Sequence, residues 1–545
     1  MVIIPAALAI VPEMQFDFGP INPCMIPING RSIIEYIIEK YDDGNTDFEV
    51  ITRDDSILQN FLSHKKLGHL KTTIIDSSIS LADTILRSKS DIKNYDSIIL
   101  NFADTLVIDE LPGESDFIAY QNSLDRLRWS RFSLDEENKI NKIYDKNIES
   151  DEVKCFSGVF GIGSGTDFFE KLSANFKTDK GGAFYKAVTE YYNSRNSMNY
   201  WDIKSWYDFG HIDSYYKIKR QFFRERDFNT IKNTSNPHTI RKESTNKDKL
   251  INEINWYLKL PKDLKYLLPQ IFGNNLSAES PSIDMEFCSF PPLNEIYIFS
   301  NFDQYVWMGI FDAVRSALIE MRQYTASEAT DIKTELQEMY LSKTIERLKS
   351  IIDDKNFSGF SDNLTINSES CFGLREIITR LPEAIENIGL YETDTFSVIH
   401  GDLCCSNILY DRKIGQVKLI DPRGSFGTYD IYGDPLYDIA KLSHSFLGDY
   451  DFILSSLFEV TREENNFHLT IFNHTNSGMI KTLFRSFLGN MGYETRDYTK
   501  IRFIESLLFL SMVPLHHDNP KAQEAFLLRG IKLFSDILMQ RRDEY

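Results

Sequence analysis

Between residues 396 and 427 the chain reads FSVIHGDLCCSNILYDRKIGQVKLIDPRGSFG, which sets Asp402, Asn407 and Asp421 at the ends of short apolar runs. Transfer of a γ-phosphoryl group asks little covalent help of a protein. It needs a group to orient the attacking hydroxyl and a metal cradle to neutralise phosphate charge. Asp402 has the chemistry to accept or orient the hydroxyl proton. Asn407 and Asp421 offer hard oxygen atoms of the kind Mg²⁺ prefers.

These groups can converge only if the backbone around them is fixed. The apolar runs 397–399, 408–410 and 417–420 predict buried strands, and 411–415 predicts the hairpin turn between the last two. The polar groups then emerge at strand ends on one rim. The ordered set resembles the catalytic loop of the aminoglycoside phosphotransferase and choline kinase group. That group's pattern, H-G-D-x-x-x-x-N followed by hydrophobic-Asp, is met by His400, Gly401, Asp402, Asn407 and Ile420-Asp421. Protein kinases carry H-R-D and D-F-G instead, and Gly401 and Pro422-Arg423 point to the small-molecule branch. The resemblance implies ATP and Mg²⁺ as cofactors, Asp402 as the catalytic group, and a sugar or amino alcohol as acceptor. GDPLYDIAKLSHSF resembles the group's helix start D-P-x-x-D-hydrophobic-A, in which Asp434 and Asp438 brace the catalytic loop.

A kinase base at Asp402 requires an upstream lobe with a strand lysine and a helix glutamate. Residues 238–243 predict a strand in which Ile240 and Lys242 share a face, because side chains alternate. Residues 248–258 predict a helix with Leu250, Ile251, Ile254, Tyr257 and Leu258 on its apolar face and Glu253 reaching back to Lys242. Arg241 is the rival for the lysine role. Residues 229–236 predict a hairpin covering the nucleotide. SIDMEFCSFPP resembles the segment between the lobes of these kinases, whose backbone, here around Glu286 to Cys288, meets adenine. Helical patterns follow at 305–324, 329–353 and 371–388, and those at 479–490, 499–513 and 522–540 are expected to line the acceptor pocket. His516-His517 reads as a helix end, since adjacent helix residues do not share a face.

Residues 1–220 alternate apolar strands (2–4, 48–51, 71–75, 97–101) with helical stretches (32–41, 55–62, 81–88), which implies an α/β sheet with helices on its faces. Ligands of such sheets bind beyond the carboxyl ends of the strands, where Asp104 falls. The segments IPINGRSIIEYIIEKY, YDSIILNFADTL, KINKIYDKN, CFSGVFGIGS and SWYDFGHIDSYYKIK resemble, in order, motifs of the sugar-phosphate nucleotidyltransferases. That resemblance implies a Rossmann-like domain in which Asp104 and Asp208 chelate Mg²⁺ and Lys146 contacts the substrate phosphate, with CTP, UTP or GTP as the candidate nucleotide. The family's Gly-rich basic loop is absent. Residues 1–30 hold no Lys or Arg, and Cys24 takes the place of a lysine. Asp17-Phe18-Gly19 and Asp208-Phe209-Gly210 mimic a kinase metal loop, but both precede His400, and a kinase metal aspartate follows its catalytic loop.

A formal charge of −20 and a pI near 5.1 argue against broad nucleic-acid binding, which needs a basic footprint. The six cysteines form neither C-x-x-C pairs nor His-rich clusters, which fits a reducing cytoplasm and no zinc or disulfide framework. No apolar run reaches the length of a membrane span, and the opening MVIIPAALAIVPEM lacks a basic leader and reads as a strand and loop. The expected organisation is an α/β nucleotidyltransferase-like domain at 1–225, then an α+β protein-kinase-like domain with its small lobe at 226–290 and its helical lobe at 291–545. The implied function is bifunctional: phosphorylation of a small hydroxyl compound and its nucleotidyl activation for surface polysaccharide. The alternative is a kinase joined to a catalytically silent binding domain.

Overall fold

In the computed structural model, β-branched runs near the N-terminus pair into a mixed nine-stranded sheet. The structure describes all residues except 66, 68, 92–94, 126, 147–150, 196–197, 223–228, 237, 278, 327–330 and 541–545. The chain divides into two compact units, Met1–Phe222 and Phe223–Tyr545; the boundary expected between 225 and 226 lies outside the described residues.

In the first unit the central strand Val2–Ala6 is buried along its whole length, as a strand covered on both faces must be. It pairs in parallel with Asp47–Arg53 on one side and Ile98–Asn101 on the other, and His69–Ile75 adds beyond Asp47–Arg53. Strand order therefore reverses between Val2–Ala6 and Ile98–Asn101, which opens a crevice beyond their carboxyl ends. The antiparallel part of the sheet runs from Ile98–Asn101 through Lys154–Ile162 to Arg131–Leu134 and Ile140–Tyr144. Phe132, Phe156, Phe160, Phe168 and Phe184 fill the core between sheet and helices. A separate two-stranded ladder joins Thr105–Val107 to Trp206–Asp208.

The second unit begins with an antiparallel sheet in the order Asn229–Asn233, Thr239–Ser244, Ser282–Glu286, Ile271–Asn275. The helix Lys247–Lys259 is capped by Asn246, whose side chain accepts the Lys249 N–H. Helices then dominate. Gln304–Arg322 is capped by Asp303, and Thr495–Met512 is buried on nearly all sides. The single helix expected over 329–353 begins at Ile332 and holds a π turn at Glu338–Ser342 before continuing as Lys343–Ile352; residues 329 and 330 lie outside the described residues. The helix expected from 371 starts at Leu374, because Glu369–Cys371 is a strand. That strand belongs to a second sheet, Glu369–Cys371, Leu364–Ile366, Asn466–Ile471 and Phe458–Glu463, which the sequence reading did not anticipate. Among the described residues no helix is long and apolar enough to cross a membrane, and all six cysteines are buried free thiols.

Candidate active sites

Lys242 lies on the strand Thr239–Ser244, which is paired on both edges, and its side chain points into the unit, only 3 % exposed. Its ammonium donates to both Glu253 carboxylate oxygens at 2.8 Å and to Asp421 Oδ1 at 2.9 Å. Burial alone would lower the Lys242 pKa. The Asp421 and Glu253 carboxylates outweigh it and hold the ammonium above its ordinary range. Burial pushes the Glu253 carboxyl up to about 7 against the pull of Lys242, as fits a cluster of two carboxylates and one ammonium that carries excess negative charge. Arg241 points the other way and forms a bidentate pair with Asp284, both bonds 2.7 Å, so the rival lysine role falls away.

The helix bearing Glu253 is fastened to the loop opposite. Trp256 Nε1–H donates to the Ile399 carbonyl at 2.8 Å, and the Asp421 N–H donates to Tyr257 Oη at 3.1 Å. Gly424, at φ +79°, lies so close that a Cβ there would collide with the backbone of Asn252 and Glu253. Asp421 itself sits at φ +55°, a region non-glycine residues rarely adopt and one associated with functional sites.

The Asp402 loop hangs from Asp438, whose two carboxylate oxygens each accept an N–H, from His400 and Gly401, at 2.7 Å. Burial pushes the Asp438 carboxyl up to about 6. Among the described residues no hydrogen bond or ion pair joins Asp434 to the loop. Asp434 caps the helix Pro435–Phe446 and accepts the Tyr340 hydroxyl at 2.7 Å. Burial pushes His400 down to about 4, so it is neutral, with Nε2–H donating to the Ile420 carbonyl and Nδ1 accepting the Asp402 N–H. Asn407 donates through Nδ2 to the Asp402 carbonyl at 2.9 Å, and its Oδ1, which accepts the Ser406 hydroxyl at 3.3 Å, is the atom suited to a cation. Among the described residues no group of three His, Cys, Asp or Glu side chains could hold a metal. The Asn407 and Asp421 oxygens nevertheless suit Mg²⁺ that draws its remaining ligands from nucleotide phosphates and water.

The strand Ser282–Glu286 leads to the segment expected to meet adenine. The Glu286 N–H is taken by the Gln270 carbonyl and the Phe287 N–H by the His238 carbonyl, both at 2.8 Å. The Glu286 carboxylate accepts the Gln270 N–H at 3.0 Å. The Cys288 N–H has no hydrogen-bond partner among the described residues, which leaves it available as a donor.

Four cations near Asp402 escaped the sequence reading. Lys441, on the helix Pro435–Phe446, pairs with Asp402 Oδ1 at 2.8 Å. Burial would raise the Asp402 pKa, yet the Lys441 ammonium outweighs it and holds the carboxyl below its usual range. Arg423 donates from its N–H to the His400 carbonyl at 3.0 Å and from its guanidinium to Tyr437 Oη at 3.0 Å. Arg347 donates to the Ser511 carbonyl at 3.0 Å. Lys343, one turn before it, is pushed down to about 6 by burial and by the charges of Arg423, Arg347 and Lys441, with Asp402 pulling the other way. The sequence signal for Lys441 is D-P-L-Y-D-I-A-K, where it follows Asp438 at the i, i+3 spacing that puts both on one helix face.

In the first unit the short ladder pairs Asp208 with Thr105, and the Phe209 N–H donates to the Asp104 carbonyl at 2.9 Å. The two carboxylates flank Gly210, whose missing Cβ gives them room. Burial and the Asp208 charge push Asp104 up to about 6. Asp208 accepts from Trp129 Nε1–H at 2.9 Å and meets His211 Nδ1 at 2.7 Å. Two facing carboxylates at the crevice suit a divalent cation. Lys146 is exposed, at φ +47°, within electrostatic reach of Asp104 but in no ion pair among the described residues. The sequence reading missed Arg128, which stacks on Trp129 and pairs with Asp125 and Asp213. Cys24 is fully buried in the turn Pro23–Met25, so its position presents no group to a phosphate. Asp17 accepts the Tyr216 hydroxyl at 2.5 Å, a packing contact within the unit. His516 packs on Phe526 at the end of its helix.

No family model matches the chain, and no curated protein matches it. Among solved structures it is similar to HddC from Yersinia pseudotuberculosis, determined in complex with GMP-PN. The likeness has 14% identity and a TM-score of 0.30, and covers 41% of this chain and 99% of that one.

Proposed function

We propose that the second unit is an ATP-dependent kinase acting on the hydroxyl of a small molecule, and that the first is a nucleotidyltransferase acting on a phosphorylated small molecule. The observation that carries the kinase reading is the single ammonium of Lys242 bonded at once to Glu253 and Asp421. It couples a sheet, a helix and the loop after the catalytic strand pair, the coupling an active phosphoryl-transfer site requires. Lys242 would meet the nucleotide phosphates and Asn407 and Asp421 the Mg²⁺, while Cys288 N–H meets adenine. Asp402, held ionised by Lys441, would orient the acceptor hydroxyl. In the first unit Asp104 and Asp208 would hold Mg²⁺ between nucleotide and substrate phosphates, with Lys146 at the substrate phosphate and CTP, UTP or GTP as nucleotide. The product of one unit would be the substrate class of the other, as in the making of an activated surface-polysaccharide precursor. Mg²⁺-dependent ADP release that disappears in Asp402→Ala and persists in Asp104→Ala tests the kinase. Pyrophosphate release from CTP, UTP or GTP, lost in Asp104→Ala, tests the other unit.

A second reading keeps the kinase and makes the first unit a catalytically silent binding domain. The cation-free stretch of residues 1–30 and the buried Cys24 favour it. Absence of pyrophosphate release with any of the three nucleotides and a set of sugar and amino-alcohol phosphates would establish it.

A further inference from the structure

We propose that the acceptor phosphorylated at Asp402 is an anionic hydroxyl compound, whose carboxylate or phosphate group is held by Lys343, Arg347 and Arg423. The inference rests on the kinase reading of the second unit and names the substrate class of that site.

Three observations support it. Among the described residues, no carboxylate pairs with Lys343, Arg347 or Arg423, in a chain whose net charge is −20. Cations left without an ion pair and partly buried oppose folding unless an anion arrives, and Lys343, whose ammonium is disfavoured by its cationic neighbours, would take up its proton as that anion binds. The cations also lie within electrostatic reach of one another, since the charges of Arg423, Arg347 and Lys441 all act on Lys343. Lys343 and Arg347 lie one turn apart on one helix, and that helix packs on Thr495–Met512, which packs in turn on the helix bearing Lys441. Arg423 lies beside the Asp402 loop, its side chain against Gly401, its guanidinium over the Tyr437 ring and its backbone N–H donating to the His400 carbonyl. The third observation separates the cluster from the nucleotide. Lys242 and the metal oxygens approach from the sheet and the Asp421 strand end, whereas Lys343 and Arg347 approach from the large helical lobe, where Lys441 meets Asp402.

With such an acceptor bound, its hydroxyl oxygen bonds to the γ-phosphorus as the bond from that phosphorus to the β,γ-bridging oxygen breaks. ADP leaves with the electron pair, and the hydroxyl proton passes to the Asp402 carboxylate and then to solvent. The anionic group stays on the three cations throughout. A carboxylate and a phosphate share the oxyanion chemistry the cluster recognises, and the choice between them is left to measurement.

The test uses the full chain with Mg²⁺ and ATP and three acceptor sets: glycerate, gluconate, glycerol phosphate and hexose 6-phosphates; glycerol and hexoses; choline and ethanolamine. Anionic acceptors should be turned over in preference. Lys343→Met and Arg347→Gln should raise their KM at least tenfold with the KM for ATP within twofold, and Lys343→Arg should restore most of the loss. Turnover in the glycerate arm assigns a carboxylate and in the phosphate arm a phosphate. Preference for neutral or cationic acceptors, or a change confined to the KM for ATP, overturns the proposal. If no acceptor is turned over, calorimetric titration of glycerate and inorganic phosphate into the MgADP-bound protein decides. Binding lost in Lys343→Met but kept in Lys343→Arg supports the cluster; equal binding by all forms, or none, overturns it. ADP release that survives Asp402→Asn would defeat the kinase reading instead, and the titration still judges the anion site by itself.

Discussion

Lys441 Nζ stands 2.8 Å from Asp402 Oδ1. The carboxylate expected to orient the acceptor hydroxyl is therefore held ionised by a cation from a separate helix, ready to accept that hydroxyl's hydrogen bond and, as the phosphoryl group is transferred, its proton. Asp402→Asn should lower ADP release by about 10²–10⁴-fold, the range for loss of a positioned acid-base group. Lys441→Met should lower kcat by at least tenfold while leaving nucleotide binding intact, as read by steady-state kinetics beside ATP titration.

Lys242 shares its charge between Glu253 and Asp421. Lys242→Met leaves two carboxylates facing each other, one of them buried, and should destabilise the second unit by about 3–5 kcal/mol, the cost of breaking a buried pair. Adding Glu253→Gln removes the orphaned charge. The double variant should be more stable than the single one in urea unfolding, although both should lack kinase activity.

Lys343 carries a pH signature. Its folded-state pKa is pushed down to about 6 from the ordinary 10.5. Between those values the unfolded chain binds more protons than the folded one, so its contribution to stability falls as pH drops across that window and is flat below it. The groups facing it are Arg423, Arg347, Lys441 and Asp402. Lys343→Met should melt higher than the parent chain at pH 6, with the gap closing toward pH 10. An unchanged gap would mean the ammonium is not crowded.

Asp104 and Asp208 repel each other across Gly210. Asp104→Asn should slightly stabilise the protein in the presence of EDTA and abolish both Mg²⁺-dependent pyrophosphate release and the rise in melting temperature that Mg²⁺ with nucleotide gives the parent. Gly210→Ala should likewise abolish the Mg²⁺-dependent responses but lower the melting temperature, because its Cβ would stand 2.5 Å from an Asp104 carboxylate oxygen.

Local signals made part of this legible. The alternation around Lys242 and the helical spacing of Glu253 were enough to place them on facing elements, and the run HGDLCCSN with its following hairpin marked the rim where Asp402, Asn407 and Asp421 lie. Where groups converge through tertiary packing, the pattern was silent. Lys343, Arg347, Arg423 and Lys441 sit on helices or loops whose charges look, residue by residue, like an ordinary solvated face. The sheet containing Phe458–Glu463 and Asn466–Ile471 was also missed, although V-T-R-E-E-N-N-F-H-L-T-I alternates around a polar turn; the hairpin is short and lies between helical stretches. The π turn at Glu338–Ser342 has no sequence signal of its own, and it precedes the turn that carries Lys343.

Gly424→Ala should be among the most damaging small substitutions in the second unit. Its positive φ and the backbone of Asn252 and Glu253 leave no space for a methyl group, and forcing one in should cost on the order of 1–3 kcal/mol and raise the KM for ATP.

Together with the bonds from Trp256 to Ile399 and from Asp421 to Tyr257, that contact fastens the glutamate helix to the loop that carries Asp421. Kinases that respond to signals keep this helix free to swing and bring it home only on command. A helix held by these contacts would have to break them to swing away. The chain's output would follow the supply of acceptor and nucleotide and the number of copies made, as suits an enzyme governed by metabolic demand rather than by a messenger.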